Sequence, residues 1–228
     1  MKTPKPRHEL KHYISTADHF ALRHRLQAVA KRDPHTGPDG KYRIRSLYFD
    51  NVDNKALREK IDGLNNREKF RIRYYNDDFS FIKLEKKSKI NGLCTKQSVR
   101  LTKLQCEQLI DGDTEWMKSC GNALLLELYA KMKYQQLRPK TLVDYIREPF
   151  IYRPGNVRIT IDSNIRTGLN SKDLFDQHLP TMSTGLGVTD ILEVKFDEFL
   201  PEIISDIIQT KNRQRSAFSK YAVCRIYG

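Results

Sequence analysis

Apolar and polar positions alternate residue by residue along much of this chain, the period-two pattern of half-buried β-strands. The pattern predicts strands at Arg7–Ile14, Tyr42–Phe49, Lys69–Tyr75, Ser80–Lys89, Thr95–Leu101, Thr141–Arg147, Val157–Asp162 and Asp190–Phe196. About eight strands suffice to close a small barrel. Helical signals lie between them. Thr16 or Asp18 can cap a helix running to Lys31, Asp53 to Ile61 is short and stops at Gly63, and Thr102 caps another through Ile110. Trp116 to Leu137 reads as one long helix or a pair broken at Gly121; Pro201 opens a helix through Ile208, and Ser216 to Ile226 closes the chain. The turn-rich run Asp33–Gly40 is a loop, and no repeat or low-complexity tract marks a boundary, so residues 1–228 are expected to form a single domain. The class is α+β, with mostly antiparallel strands and peripheral helices.

Strand parity then places the charges, because successive side chains point to opposite faces. Glu9 and Lys11 share a face with Arg7; Arg71 shares one with Arg73, opposite Phe70, Ile72 and Tyr74. Lys83, Glu85 and Lys87 oppose Ile82 and Leu84; Arg158, Thr160 and Asp162 oppose Val157, Ile159 and Ile161; Glu193 and Lys195 oppose Leu192 and Val194. A solvated outer face explains any single strand of this kind. Five such strands, four of them setting a carboxylate among the cations, suit instead a barrel with charges turned inward. Like charges crowded into such a tunnel need an anionic ligand. A linear polyphosphate or a nucleotide's triphosphate tail would supply it, and the carboxylates would hold a divalent metal.

Composition agrees. Lys and Arg number 41 against 28 Asp and Glu, a formal charge of +13, which points to a polyanionic partner. The most apolar run, Ala123–Leu128, is too short to span a bilayer, and Met1–Pro6 has no apolar run of the secretory kind. Four scattered cysteines without CxxC spacing fit neither a zinc site nor a disulfide framework, so a cytoplasmic location is expected. His8, His12, His19, His24, His35 and His178 lack metal-ligand spacing and are expected to be structural or on the surface. Nucleic acid is not expected as a partner, since parity sets Tyr74 opposite the arginines, where stacking and charge cannot cooperate.

Eight motifs, in order, resemble the VTC domain: Arg7-x-Glu9-x-Lys11-x-Tyr13, Ser46-Leu-Tyr-Phe-Asp50, Arg71-Ile-Arg73-Tyr, Leu84-Glu-x-Lys87, Tyr145-x-Arg147, Arg158-Ile-Thr-Ile-Asp162, Ile191-Leu-Glu-Val-Lys195 and Phe218-Ser-Lys220-Tyr221. This is the polyphosphate polymerase domain of the vacuolar transporter chaperone complex, within the triphosphate tunnel metalloenzyme (CYTH-like) superfamily. The resemblance implies an eight-stranded antiparallel tunnel in which the γ-phosphate of ATP passes to a growing polyphosphate, assisted by Mn²⁺ or Mg²⁺. By matching motif, the phosphate ligands would be Lys11, Arg71, Arg73, Lys87, Lys96, Arg147, Arg158 and Lys220, with Tyr145 beside the nucleotide phosphates. Glu193 would be the metal carboxylate; Glu9 and Glu85 face the lumen by parity and could assist, as could Lys83 and Lys195 toward phosphate. Arg71, Arg73, Arg147, Arg158 and Glu193 form the expected catalytic set.

One departure bears on activity. The family's polymerases tend to carry a lysine three residues before the Phe-Ser-Lys lysine, where this chain has Ala217; Arg213 and Arg215 are the nearby basic residues. No SPX module or membrane helix of the eukaryotic assemblies is expected within these residues, which resemble a free-standing microbial version. The expected function is therefore polyphosphate polymerase-like phosphotransfer. The alternatives are a metal-dependent tripolyphosphatase or nucleoside triphosphatase, and a non-catalytic polyphosphate-binding module.

Overall fold

The computed structural model describes residues 7–91, 93–185, 189–210, 214–215 and 217–226, the side chains of 189, 214 and 215 excepted. All eight expected strands form: β1 (His8–Ser15), β3 (Tyr42–Asp50), β4 (Arg67–Tyr75), β5 (Asp78–Ile90), β6 (Leu93–Leu101), β7 (Arg138–Tyr152), β8 (Val157–Thr167) and β10 (Thr189–Phe196). Three two-residue strands add to them: β2 (Lys31–Arg32), β9 (Met182–Ser183) and β11 (Gln214–Arg215). The helices are α1 (Thr16–Val29), α2 (Lys55–Ile61), α3 (Lys103–Asp111), α4 (Ala123–Tyr134), α5 (Glu202–Ile207) and α6 (Lys220–Ile226). Among the described residues no helix is long and apolar enough to cross a membrane.

The local chemistry explains most of the ends. Thr102 caps α3 as expected, in a reciprocal box with Gln105. The cap of α1 is Ser15 and not Thr16 or Asp18: its hydroxyl accepts from the Asp18 N–H, and the Asp18 carboxylate accepts from the Ser15 backbone N–H. The Trp116–Leu137 segment resolves as a broken pair: a 3₁₀ turn at Glu115–Lys118, then Gly121 at φ +64°, then α4 capped by Asn122. β7 extends to 15 residues, through Pro139 at its start and well past Arg147.

The chain divides into two compact units. The first comprises residues 1–43, 145–165 and 183–218, and its strands run in the order β11-β1-β10-β8-β7. β1 pairs antiparallel with β10, and β10 with β8. Their apolar faces bury Ile14, Val157, Ile159, Ile161, Leu192 and Val194 against Leu22 and Leu26 of α1 and Ile204 of α5. The second unit comprises residues 44–144, 166–182 and 219–228, with strand order β7-β3-β4-β5-β6. β3, β4, β5 and β6 pair antiparallel in succession. Here Phe70, Ile72, Tyr74, Ile82 and Leu84 pack on Cys106 and Leu109 of α3 and on Leu124, Leu125, Leu128 and Met132 of α4. Each helix layer therefore covers the uncharged side of its strands, leaving the other side to the charges.

Tyr74 is buried, its hydroxyl donating to the Leu174 carbonyl at 2.8 Å, so it offers no stacking surface beside the arginines. In the same core, Arg45 forks onto Asp144 at 2.9 and 2.8 Å, a buried pair that alternation alone does not reveal.

His19 of α1 sits between two carboxylates of the first unit. Its Nδ1 lies 2.5 Å from Asp190 and its Nε2 3.1 Å from Glu148, which also accepts from Arg23 at 2.9 Å. Burial would lower the imidazole pKa, but the hydrogen bonds and charges of Asp190 and Glu148 outweigh it and raise it. A raised folded pKa stabilises fully below the unfolded value and fades as pH rises through the folded one. The urea midpoint is therefore expected to fall as pH rises above the ordinary imidazole value of about 6.5. His19→Gln should flatten this slope, and an unchanged slope would show that His19 does not titrate with folding.

Candidate functional site

Directly paired residues of antiparallel strands share a face, so the registers turn parity into two grids of charge. In the second unit, β4, β5 and β6 align in three rows: Lys69–Lys87–Lys96, Arg71–Glu85–Ser98 and Arg73–Lys83–Arg100. Seven of these nine side chains are cationic and one is a carboxylate. Glu85 is 1 % exposed and serves as the counter-ion. Its Oε2 accepts from Arg71 Nε at 2.8 Å and Nη2 at 2.6 Å, lies 3.8 Å from Arg73, and its Oε1 pairs with Lys96. Burial would raise the Glu85 pKa, yet Arg71, Arg73 and Lys96 together hold the carboxyl far below the usual carboxylate range. Lys96 moves down, burial and the two arginines outweighing the pull of Glu85.

β3 supplies the border of this grid. Ser46 pairs in register with Arg73 and accepts from its Nε at 3.0 Å; Tyr48 pairs with Arg71 and accepts from its Nη1 at 2.7 Å. Lys83 and Arg100 stand over the Phe81 ring at 4.3 and 4.5 Å from its centroid. Lys220 opens α6, which also lies in the second unit.

The first unit carries a different grid. β1, β10 and β8 align as Glu9–Lys195–Arg158, Lys11–Glu193–Thr160 and Tyr13–Ile191–Asp162. Three cations here face three carboxylates, so the charges balance. Glu9 and Glu193 lie on the diagonal and share both lysines. Lys11 lies 3.6 Å from Glu9 and 3.9 Å from Glu193, while Lys195 lies 3.5 Å from Glu9 and pairs closely with Glu193. Lys11 also reaches the Phe218 carbonyl at 3.5 Å.

One arginine borders this grid, and the arginine inside it is held from outside. Arg147 forks onto Asp162 at 2.6 and 2.7 Å, and its guanidinium carbon lies 5.4 Å from the centroid of the buried Tyr145 ring. Burial would lower the Arg147 pKa; Asp162 holds it well above its ordinary value, so the charge is permanent. Arg158 is held by Asp33 at 2.8 Å and by the Tyr42 hydroxyl at 3.0 Å.

The structure thus sorts the expected site residues into two sets. Lys11, Glu9, Tyr145, Arg147, Arg158, Glu193 and Lys195 belong to the first unit; Arg71, Arg73, Lys83, Glu85, Lys87, Lys96 and Lys220 belong to the second. Arg213 and the side chain of Arg215 lie outside the described residues. Sequence reasoning missed Lys69 and Arg100, which share parity with Arg71 and with Lys96 and were legible by the same rule. It missed Tyr48 inside a quoted motif, and Asp33 on a loop that no periodicity reaches.

Among the described residues, no three His, Cys, Asp or Glu side chains gather as a closed metal cage would require. The Glu9 and Glu193 pair fits a looser arrangement. Hard carboxylate oxygens suit Mg²⁺ or Mn²⁺, and Mg²⁺ is usually bound by one or two carboxylates together with substrate phosphates.

The sequence model of the VTC domain matches residues 6–226. No curated protein matches by sequence. Among solved structures, a candidate adenylyl cyclase from Hippeastrum, described as having a dominant triphosphatase activity, is 13 % identical with a TM-score of 0.55, covering 96 % of this chain and 95 % of its own. A candidate adenylate cyclase from Bacillus halodurans is 13 % identical with a TM-score of 0.49, covering 86 % of this chain and 82 % of its own.

Proposed function

The chain belongs to the VTC domain family, and on that footing we propose that it moves the γ-phosphate of ATP onto a polyphosphate chain. The observation that carries this reading is the β4–β5–β6 grid, with seven cations against one carboxylate on a single face. Such a face requires anions, and a flexible phosphate chain brings one charge every few ångströms.

Phosphoryl transfer asks a protein mainly for positioning and charge neutralisation. Arg71 and Arg73, two residues apart on β4, present guanidinium forks that match phosphate oxygens, while Lys69, Lys83, Lys87 and Lys96 act as point charges around them. Glu85 holds the two forks and Lys96 in place when no phosphate is bound. In the first unit, Arg147 is locked by Asp162 and Arg158 by Asp33, so both cations are oriented before a ligand arrives. Glu193, helped by Glu9, would hold the divalent ion, with Lys11 and Lys195 giving up part of their pairing to it. When bound, that ion supplies charge neutralisation on the phosphate oxygens.

The acceptor decides the product: a phosphate chain end gives polymer, and water gives hydrolysis. Two observations favour the hydrolytic reading as the second choice. Ala217 stands where a lysine is common among the polymerases, and the Hippeastrum structure is described by its triphosphatase activity. Incubation with ATP and Mn²⁺, followed by gel separation of polyphosphate and a free-phosphate assay, tests both. Long polymer is expected. Free phosphate alone would overturn the polymerase in favour of the hydrolase, and neither product under Mn²⁺ or Mg²⁺ would leave a binding module.

A further inference from the structure

Tyr48 stands in the middle of β3, 2 % exposed, with no role in the reading above. Its ring stacks on Tyr221 of α6, the centroids 5.1 Å apart and the planes 28° apart. Tyr221 donates its hydroxyl to Asp50, which in turn accepts the backbone N–H groups of Ala56 and Leu57 at the start of α2. The ring is therefore fixed on one side by a helix that is itself anchored. On the other side, the Tyr48 hydroxyl accepts from Arg71 Nη1 at 2.7 Å. That guanidinium gives Nε and Nη2 to Glu85 on β5, so Arg71 is gripped from both strands that flank β4.

A stacked, buried tyrosine is ordinarily a packing residue, and its hydroxyl needs only a neutral partner. Here the charged and titratable groups that face it are Lys69, Arg71 and Arg73 from β4 and Tyr221 from α6, with Asp50 two residues along its own strand. Arg71 and Lys69 also stand over the ring, 5.6 and 5.7 Å from its centroid.

We propose that Tyr48 is a positioning residue for phosphate binding: its hydroxyl orients the Arg71 guanidinium, and loss of its proton weakens the hold of the cationic face on anions. The inference rests on the phosphate-binding reading above. Burial by itself would raise the phenol pKa, but Arg71, Lys69 and Arg73 outweigh it and pull it down to about 8. A phenolate on this face cancels one cation of the grid. Conversely, bound phosphate neutralises those cations and lets the phenol keep its proton. The coupling is reciprocal: each unit by which ligand raises the phenol pKa costs about tenfold in affinity once the phenol ionises.

The test is metal-free binding of inorganic tripolyphosphate by calorimetry, in the presence of a chelator, across the pH range around 8. Wild type and Tyr48→Phe are compared as a ratio, in which protonation of the ligand cancels. Below the transition the variant is expected to bind several-fold more weakly, and the ratio is expected to move by about tenfold across it. Tyr221→Phe, which keeps the stacked ring and loses the hydroxyl's bonds to Asp50 and Arg225, should keep the wild-type profile. Tyrosinate absorbance gives a second readout. Burial would raise the Tyr75 phenol too, but Arg73, Lys96 and Arg71 outweigh it and pull it down, so the tyrosinate step of Tyr48 is the one that wild type shows and Tyr48→Phe lacks; saturating tripolyphosphate should push that step upward. Binding with parallel profiles in wild type and Tyr48→Phe, or a tyrosinate step that tripolyphosphate leaves in place, overturns the role of Tyr48. A folded wild type that binds no tripolyphosphate at any pH overturns the phosphate reading itself, and this inference with it.

Discussion

Glu193→Gln is expected to lower metal-dependent turnover of ATP by about 10³-fold, since a divalent ion contributes several kcal/mol to a phosphoryl transition state and each 1.36 kcal/mol is about tenfold in rate. The same variant should bind tripolyphosphate at least as tightly as wild type when metal is chelated. The sign follows from the grid of the first unit. Glu193 pairs with Lys195 and lies 3.9 Å from Lys11, so neutralising it leaves two ammonium groups with less competition for phosphate. Opposite movements in turnover and metal-free affinity separate loss of a metal ligand from general damage, which would lower both. Steady-state rates with Mn²⁺ and calorimetry in a chelator make the comparison, and turnover within tenfold of wild type would remove Glu193 from the metal site.

Glu85→Gln is expected to destabilise the second unit by about 3–5 kcal/mol, the usual cost of breaking a buried ion pair by removing one partner. Arg71, Arg73 and Lys96 would keep their charges with no carboxylate among them. Tripolyphosphate should therefore raise the melting temperature of the variant more than that of wild type, because ligand phosphates take over the role of the missing counter-ion. The pH dependence carries the same signature. Glu85 has a depressed folded pKa, so its contribution is present above the unfolded value of about 4.3 and is lost as pH falls below it. Wild type should lose stability in acid more steeply than Glu85→Gln. Parallel acid profiles would mean that the three cations do not depend on Glu85.

Much of this was legible in the residues. Every long strand was visible as alternation, and the face bearing charge was correct for Arg71 and Arg73, for Lys83 and Glu85, and for Glu193 and Lys195. Hydrophobic burial forces that outcome: Phe70, Ile72 and Leu84 must face the helices, so their neighbours cannot. The ends of elements were less legible, because they depend on single hydrogen bonds. Ser15 took the cap of α1 through Asp18, and β7 ran on to Tyr152 where the motif Tyr145-x-Arg147 gave no reason to expect it.

What the sequence by itself determined was membership: which side chains share a face, and that those faces carry the charge. Only the tertiary structure decided who stands beside whom. Alternation has no knowledge of register, and a shift of two residues would keep every face while changing every neighbour. The observed register puts Glu85 between Arg71 and Ser98, making it a counter-ion; it puts Glu9 diagonal to Glu193, where both share Lys11 and Lys195. Loop partners lay further out of reach. Asp33 meets Arg158 across 125 positions of sequence, a contact made by the folding of the chain and carried by no local pattern.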